Sequence, residues 1–358
     1  MPLVAHNSLP AFDKLKQDGF DILKADHALH QDIRELHIGL LNMMPDAALR
    51  ATERQFMRMI TSCNQIAQFY IHPFSIDGIE RGEATQAHIN SYYERFEELR
   101  EQGLDALIIS GANPVKAELT DESFWPGVID VFEWAKENVT SILCSCLASH
   151  AAFKQFYGIE RRRLESKLWG VYSHRITEPL HPLVSNINTR FDVPHSRFNE
   201  VTRQQLNSAG LRVLIEGPEA GVHLAVSSDL FREVYFQGHA EYNFNSLLKE
   251  YKREVIRFFA GQRDDYPVQP DNYFTEQAQP LLSSYKTQVI NAKSEHAALP
   301  DFPEAELERL VDNTWWDTGK AVFNNWLGLV YQLTHMDRKK LFMDGIDPDD
   351  PLNLKNTF

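Results

Sequence analysis

The chain has 358 residues, 43% of them hydrophobic, which is enough for the core of one large domain or two modest ones. Its formal charge of -14 argues against a nucleic-acid-binding role, because displacing counterions from phosphates requires a basic face. The sequence shows neither a basic start followed by a long apolar stretch nor an apolar run long enough for a membrane span, so we expect no membrane association.

Strand and helix patterns alternate through the first 150 residues. Short apolar runs predict strands at 36–45, 66–74, 104–112 and 140–145. Apolar residues at helical spacing predict helices at 48–60, 88–103 and 124–138. This alternation predicts a mostly parallel α/β sheet with helices on both faces.

The pattern is less regular after residue 160. Three strand candidates follow at hairpin-like spacing, at 212–217, 222–228 and 232–238, so we expect a mixed sheet in this half. Helices are predicted at 245–261 and 315–334, with irregular chain from 263 to 305. We therefore expect a single domain over residues 1–335 and a C-terminal extension over 336–358.

The first candidate for chemistry is Cys146, in "TSILCSCLASHAAF" (140–153). An apolar strand ends at a serine and small, helix-forming residues follow, so Cys146 falls at a strand-to-helix turn. Such a turn exposes one side chain at the sheet edge, and the helix N-terminus favours a thiolate there. Cys144 falls within the strand pattern and is expected in the core, as isolated cysteines usually are.

The second candidate is the pair His239 and Glu241 in "VYFQGHAEYN" (234–243). Residues two apart in extended chain point to the same side, so the carboxylate can orient the imidazole as a base. With only three cysteines, none spaced for a disulfide framework or a zinc site, we expect a reducing, cytoplasmic location and no metal in the site.

Together these motifs resemble the class I glutamine amidotransferase-like (flavodoxin-like) fold, in which a cysteine turn is followed by a His-x-Glu pair. More closely, the chain resembles the homoserine O-acyltransferases of the MetA family. The resemblance rests on "LHIGLLNMMP", "TERQF", "LIISGA", "SKLWGVYSH", "VPHSRFNE", "GHAEYN" and "FNNWLGLVYQLT", over roughly residues 30 to 335.

The resemblance implies a ping-pong acyltransferase that takes an acyl group from acyl-CoA and passes it to L-homoserine at the start of methionine biosynthesis. Cys146 would carry the acyl group, with His239 as base and Glu241 as its partner. Substrate contacts would fall on Lys167, Ser196 and Arg253. The planar guanidinium of Arg253 suits a carboxylate. The family also suggests a homodimer and no bound cofactor.

The acyl donor depends on a position after the family's "TGAP" segment, where glutamate accompanies acetyl-CoA and glycine accompanies succinyl-CoA. Here that position is Val115, in "SGANPVKAEL". Valine adds no carboxylate that would repel a succinyl group, but its branched side chain takes space that glycine leaves open, so it favours succinyl-CoA only weakly over acetyl-CoA. Leu147 and Asn113 also depart from the family pattern, and serine is an alternative acceptor.

Two other classes of protein remain open. A glutamine-hydrolysing or peptidase-like enzyme would use the same Cys, His and Glu residues without CoA. A non-catalytic binding protein would be expected to have lost one of them.

Overall fold

The fold is described from a computed structural model, which defines residues 3–20, 22–29, 33–63, 67–355 and 357. The strands are β1 (Leu3–Ala5), β2 (Ile22–Lys24), β3 (Glu35–Leu41), β4 (Gln68–Phe74), β5 (Ala106–Ile109), β6 (Ser141–Ser145), β7 (Arg162–Ile176), β8 (Arg190–Glu200), β9 (Arg212–Gly217), β10 (Gly221–Val226) and β11 (Glu233–Phe236). The α-helices are α1 (Pro10–Gln17), α2 (Ala25–Ala28), α3 (Asp46–Thr61), α4 (Glu83–Tyr92), α5 (Phe96–Gln102), α6 (Trp125–Asn138), α7 (Leu147–Tyr157), α8 (Arg203–Ser208), α9 (Ser246–Phe259), α10 (Gln279–Ser294), α11 (Glu304–Glu308) and α12 (Trp316–Leu333).

These strands form one sheet in the order β2-β1-β4-β3-β5-β6-β11-β10-β9-β7-β8. Neighbours from β2 through β11 run parallel. Neighbours from β11 through β8 run antiparallel. The prediction of a mostly parallel sheet that becomes mixed in the second half is confirmed.

The core lies on both faces of the sheet. Side chains alternate along β5, so that Ile108 packs in one apolar layer with residues of α3 and α12, while Leu107 and Ile109 pack in another with residues of α6 and α7. The expected cover of helices on two faces is therefore confirmed. Among the described residues, no helix is both long and apolar enough to cross a bilayer.

Two predicted elements differ in the structure. The single helix expected over 88–103 is wrong: α4 ends at Tyr92 and α5 begins at Phe96, because the Glu94 N–H donates to the Pro73 carbonyl and pairs the chain with β4. The irregular chain expected over 263–305 instead contains α10. Ile66, the first residue of one predicted strand, lies outside the described residues.

The segment after residue 335 packs on the sheet domain. Leu341, Ile346 and Leu352 contact the apolar layer that contains Ile108, and the Thr140 hydroxyl donates to the Leu341 carbonyl at 2.6 Å. The domain boundary at residue 335 stays a prediction. The contacts of the described residues after 335 stabilise the fold, because they bury apolar side chains against the sheet domain.

Candidate active site

Cys146 occupies the turn between β6 and α7, as the sequence predicts. Its backbone has φ 53° and ψ -111°, a conformation that is rare and strained for a residue with a side chain. The Cys146 N–H donates a hydrogen bond to the Phe236 carbonyl at 2.7 Å. Phe236 is the last residue of the neighbouring strand β11. The turn leaves Cys146 partly exposed, whereas Cys144 is buried in β6.

His239 and Glu241 follow the end of β11 and lie beside that turn. The His239 Nδ1 is 2.8 Å from the Glu241 Oε1, and both side chains are buried. Burial lowers the pKa of His239, but the charges of Cys146 and Glu241 and hydrogen bonds to both outweigh it and raise the pKa well above its usual value. A protonated imidazole beside the sulfur stabilises a thiolate.

Ser145 is a further contact of this pair that the sequence did not single out. Its hydroxyl donates to the same Glu241 oxygen at 3.4 Å. Because Glu241 is buried, each donor to its carboxylate reduces the cost of keeping it charged. Ser145 therefore helps to position Glu241 behind the imidazole.

The loop after β5 forms one wall around Cys146. A β-carbon at Gly111 would lie 3.5 Å from the Cβ of Cys146 and 3.7 Å from the Met44 sulfur. On the other side, the N-terminus of α7 presents backbone N–H groups that have no partner within the helix. Such groups can stabilise an oxyanion that forms next to the sulfur.

A second set of polar side chains surrounds Glu250 on α9. Its carboxylate accepts hydrogen bonds from the Ser196 hydroxyl at 2.7 Å, the Tyr242 hydroxyl at 2.8 Å and the Lys167 ammonium at 3.2 Å. Burial raises the pKa of Glu250, but Lys167 and these hydrogen bonds more than offset it, so the pKa lies below its usual value. Glu250 is thus a carboxylate, with three donors from three segments of the chain.

Tyr242 joins the two sets. Its ring stacks on the His239 imidazole, with the centroids 4.2 Å apart and the planes 17° from parallel, while its hydroxyl reaches Glu250. Burial is the main reason that the pKa of Tyr242 lies well above its usual value, so the hydroxyl keeps its proton. The Glu250 group therefore lies one aromatic ring away from the imidazole.

Of the remaining predicted site residues, two contact Glu250 and two are exposed. Lys167 and Ser196 meet at Glu250, whereas Arg253, one turn further along α9, is exposed and makes no ion pair with any side chain that the structure describes. Val115 is 84% exposed, and its N–H is anchored to the Glu122 carboxylate at 2.6 Å. Sequence reasoning missed Tyr242 and Glu250, although Glu250 and Arg253 share one face of α9 at a spacing of three.

Comparison with known proteins places this chain in a family. The family model described as homoserine O-succinyltransferase matches residues 2–336. A homoserine O-succinyltransferase of Methylococcus capsulatus is 58% identical over 99% of this chain and 100% of its own length, and one of Methylobacter tundripaludum is 59% identical over the same shares. A solved glutamine amido transferase from Methylobacillus flagellatus is 11% identical, with a TM-score of 0.44 over 83% of this chain and 95% of that one. The chain belongs to the homoserine O-succinyltransferase family.

Proposed function

We propose that the chain is an acyltransferase that moves the succinyl group of succinyl-CoA to the side-chain hydroxyl of L-homoserine, at the start of methionine biosynthesis. The family match over nearly the whole chain supports the reaction. The observation that carries the mechanism is the juxtaposition of Cys146 with the buried His239–Glu241 pair. Acyl-CoA serves as co-substrate, and we propose no bound cofactor.

The first half-reaction forms an acyl-enzyme. The Cys146 thiolate attacks the thioester carbonyl, the carbonyl oxygen becomes an oxyanion facing the α7 N-terminus, and CoA leaves as a thiol after taking the proton held by His239. One thioester replaces another, so this exchange changes the free energy little. His239 is then neutral.

The second half-reaction uses that neutral imidazole. His239 removes the proton of the homoserine hydroxyl as its oxygen attacks the acyl-cysteine, while the Glu241 carboxylate stabilises the imidazolium that forms. The bond between carbon and the Cys146 sulfur breaks, giving O-succinylhomoserine. The sulfur regains its negative charge beside the imidazolium, ready for another cycle.

We assign recognition of the amino acid to the face of α9 that carries Glu250 and Arg253. Homoserine is a zwitterion, so its ammonium group requires an acceptor and its carboxylate requires donors. Glu250 is a charged, largely buried acceptor that lies one aromatic ring away from His239. The exposed guanidinium of Arg253 can bind a carboxylate through two parallel hydrogen bonds. Lys167 and Ser196 hold Glu250 in position through hydrogen bonds, and we assign both to the substrate-binding site as well.

Succinyl-CoA is the favoured donor for two reasons. The matching relatives are named homoserine O-succinyltransferases. In this chain, Val115 introduces no negative charge that would repel the free carboxylate of the succinyl group. We also propose a cytoplasmic homodimer: the three cysteines are free, which suits a reducing compartment, and the family suggests the dimer.

A steady-state assay of CoA release tests this function. Wild-type protein is given succinyl-CoA or acetyl-CoA with homoserine or serine, and in a separate reaction it is given glutamine. We expect the highest kcat/KM with succinyl-CoA and homoserine, loss of turnover in Cys146→Ser, and retention in Cys63→Ser. Ammonia release from glutamine without CoA turnover would contradict the proposal and favour a glutaminase.

A further inference from the structure

A second cluster of ionisable side chains lies far from Cys146 along the sheet. It is formed by His6, which follows β1, by His72 in β4, and by Glu94, which pairs with the end of β4. β4 is separated from β6 by β3 and β5, three strand spacings or about 14 Å across the sheet. The cluster is thus separate from the proposed active site.

The three groups converge on one point. One ring nitrogen of His6, one of His72 and one carboxylate oxygen of Glu94 all lie within 4.8 Å of one another. The His72 Nδ1 is 2.8 Å from Glu94 Oε1, and the His6 Nε2 is 3.8 Å from the same oxygen. Four zinc ligands at tetrahedral positions are about 3.3 Å apart, which follows from bond lengths of about 2.0–2.1 Å, so each contact is about 0.5 Å from that spacing.

The His6 ring is already oriented for binding. Its Nδ1 lies 3.2 Å from the Val4 carbonyl, which can only accept, so Nδ1 carries the proton and Nε2 presents a lone pair toward Glu94. A backbone carbonyl on the far nitrogen is a common support for metal-binding histidines. Apart from Glu94, the polar contact of that Nε2 is a long one of 3.4 Å to the Asn7 amide.

His72 is oriented by a chain of contacts on its other side. Its Nε2 is 2.8 Å from the His37 Nδ1, and the His37 Nε2 is 3.4 Å from a Glu35 carboxylate oxygen. A metal ion on the His72 Nδ1 would leave the ring proton of His72 on Nε2, where the His37 Nδ1 can accept it, and the His37 Nε2–H would then face the Glu35 carboxylate. In that arrangement the His72 Nδ1 presents a lone pair on the side of the Glu94 oxygen.

The 2.8 Å contact between the His72 Nδ1 and the Glu94 oxygen requires a proton or a metal ion between the two atoms. A proton on His72 would satisfy that pair alone and would leave the His6 lone pair directed at the same carboxylate. A metal ion would engage all three groups at once, and the contacts through His37 to Glu35 would then form the carboxylate–histidine support that metal sites use.

We propose that His6, His72 and Glu94 bind one divalent transition-metal ion, for which Zn²⁺ is the best match. Two imidazoles and one carboxylate are a usual zinc ligand set, with a fourth position open to water. The ion would join the end of β1 to β4 and to the chain that enters α5. Its role is to fasten the first, three-residue strand to the sheet, apart from the acyl transfer reaction.

Calorimetric titration of tag-free, full-length protein with ZnCl₂ tests the site, in a Cys146→Ala background so that the active-site thiol does not compete. We expect one equivalent of Zn²⁺ to bind. The affinity should fall at least tenfold in His6→Ala and in Glu94→Gln and by about 10–100-fold in His37→Ala, while His27→Ala, which changes an exposed histidine, keeps it.

Hydrogen exchange supplies the second readout, because His6 and Glu94 are partly exposed and their variants are expected to fold. Zn²⁺ should slow exchange in Leu3–Ala5 in the parent protein and in His27→Ala, but not in Glu94→Gln. Absence of stoichiometric Zn²⁺ binding would overturn the proposal. Binding of equal strength in His6→Ala and Glu94→Gln would overturn it as well.

Discussion

The ring of Tyr242 lies against the imidazole of His239 at a centroid distance of 4.2 Å, and the Tyr242 hydroxyl donates to Glu250. One side chain therefore supports both the proposed base and the proposed ammonium acceptor. The substitution Tyr242→Phe keeps the ring against His239 and removes the hydroxyl from Glu250, so it tests the two contacts separately.

Tyr242→Phe should raise KM for homoserine with little change in kcat. The stack on His239 is retained, whereas Glu250 loses a charge-assisted hydrogen bond worth about 1.5–3 kcal/mol, which corresponds to about a 10–100-fold change in KM. Steady-state kinetics with varied homoserine measure the effect, and Tyr266→Phe, which loses a hydroxyl contact to Tyr251, is the matched control. A fall in kcat at constant KM would contradict the assigned role.

Glu241→Gln should lower kcat by about 10²–10⁴-fold. The amide no longer stabilises the imidazolium of His239, a contribution typical of general acid–base catalysis. Ser145→Ala removes only a long hydrogen bond to the same oxygen and should cost less than about tenfold. Equal losses in the two variants would show that the carboxylate has no special part in the chemistry.

Val115→Glu should reduce kcat/KM for succinyl-CoA by about five- to tenfold and leave acetyl-CoA nearly unchanged. The added carboxylate repels the free carboxylate of the succinyl group, by about 1 kcal/mol at 4 Å in water and more at a protein surface. Val115 is 84% exposed, so folding should not suffer, and Val268→Glu at another exposed valine is the control. A parallel loss with both donors would contradict a role in donor choice.

Acid should destabilise the fold from about pH 6.5 downward. Burial lowers the pKa of His150 to about 3 and those of His174 and His181 to about 4, so these rings stay neutral in the folded protein. The unfolded chain takes up protons below the ordinary histidine pKa of about 6.5, so each ring costs up to about 1.4 kcal/mol of stability per pH unit between about pH 6.5 and 4.

His150→Gln isolates one of these rings. The His150 Nε2 lies 3.0 Å from the Gln237 side-chain oxygen, and glutamine can keep that hydrogen bond without titrating. Urea unfolding at about pH 7 and pH 5 should show a smaller loss of stability in His150→Gln than in the wild type or in His27→Gln. An unchanged pH dependence would show that His150 takes up its proton without unfolding.

The sequence predicts those strands and helices that carry a local pattern of apolar residues. Runs such as "LHIGLLNMMP" and "TSILCSCL" are apolar throughout because a parallel strand is buried on both faces. The hairpin of β7 and β8 gives no such signal, since charged residues such as Arg162, Glu165 and Arg190 are tolerated on its exposed positions. The break between α4 and α5 also depends on a distant partner, the Pro73 carbonyl.

In the candidate site, too, only some of the residues carry a local sequence pattern. Cys146, His239 and Glu241 carry local motifs, and the structure brings them together as the sequence predicts. Glu250 lies on a charged, amphipathic helix, where a carboxylate is ordinarily solvated. Its burial arises only when β7, β8 and the chain after β11 converge on α9, which no local pattern shows.

We propose that Cys146 carries the acyl group, and intact-protein mass spectrometry after brief exposure to succinyl-CoA is the direct test of that role. We expect the wild-type mass to increase by one succinyl group and to return to its original value when homoserine is added, with no increase in Cys146→Ala. The same increase in Cys146→Ala, or an adduct that homoserine does not remove, would contradict an acyl-cysteine intermediate at Cys146.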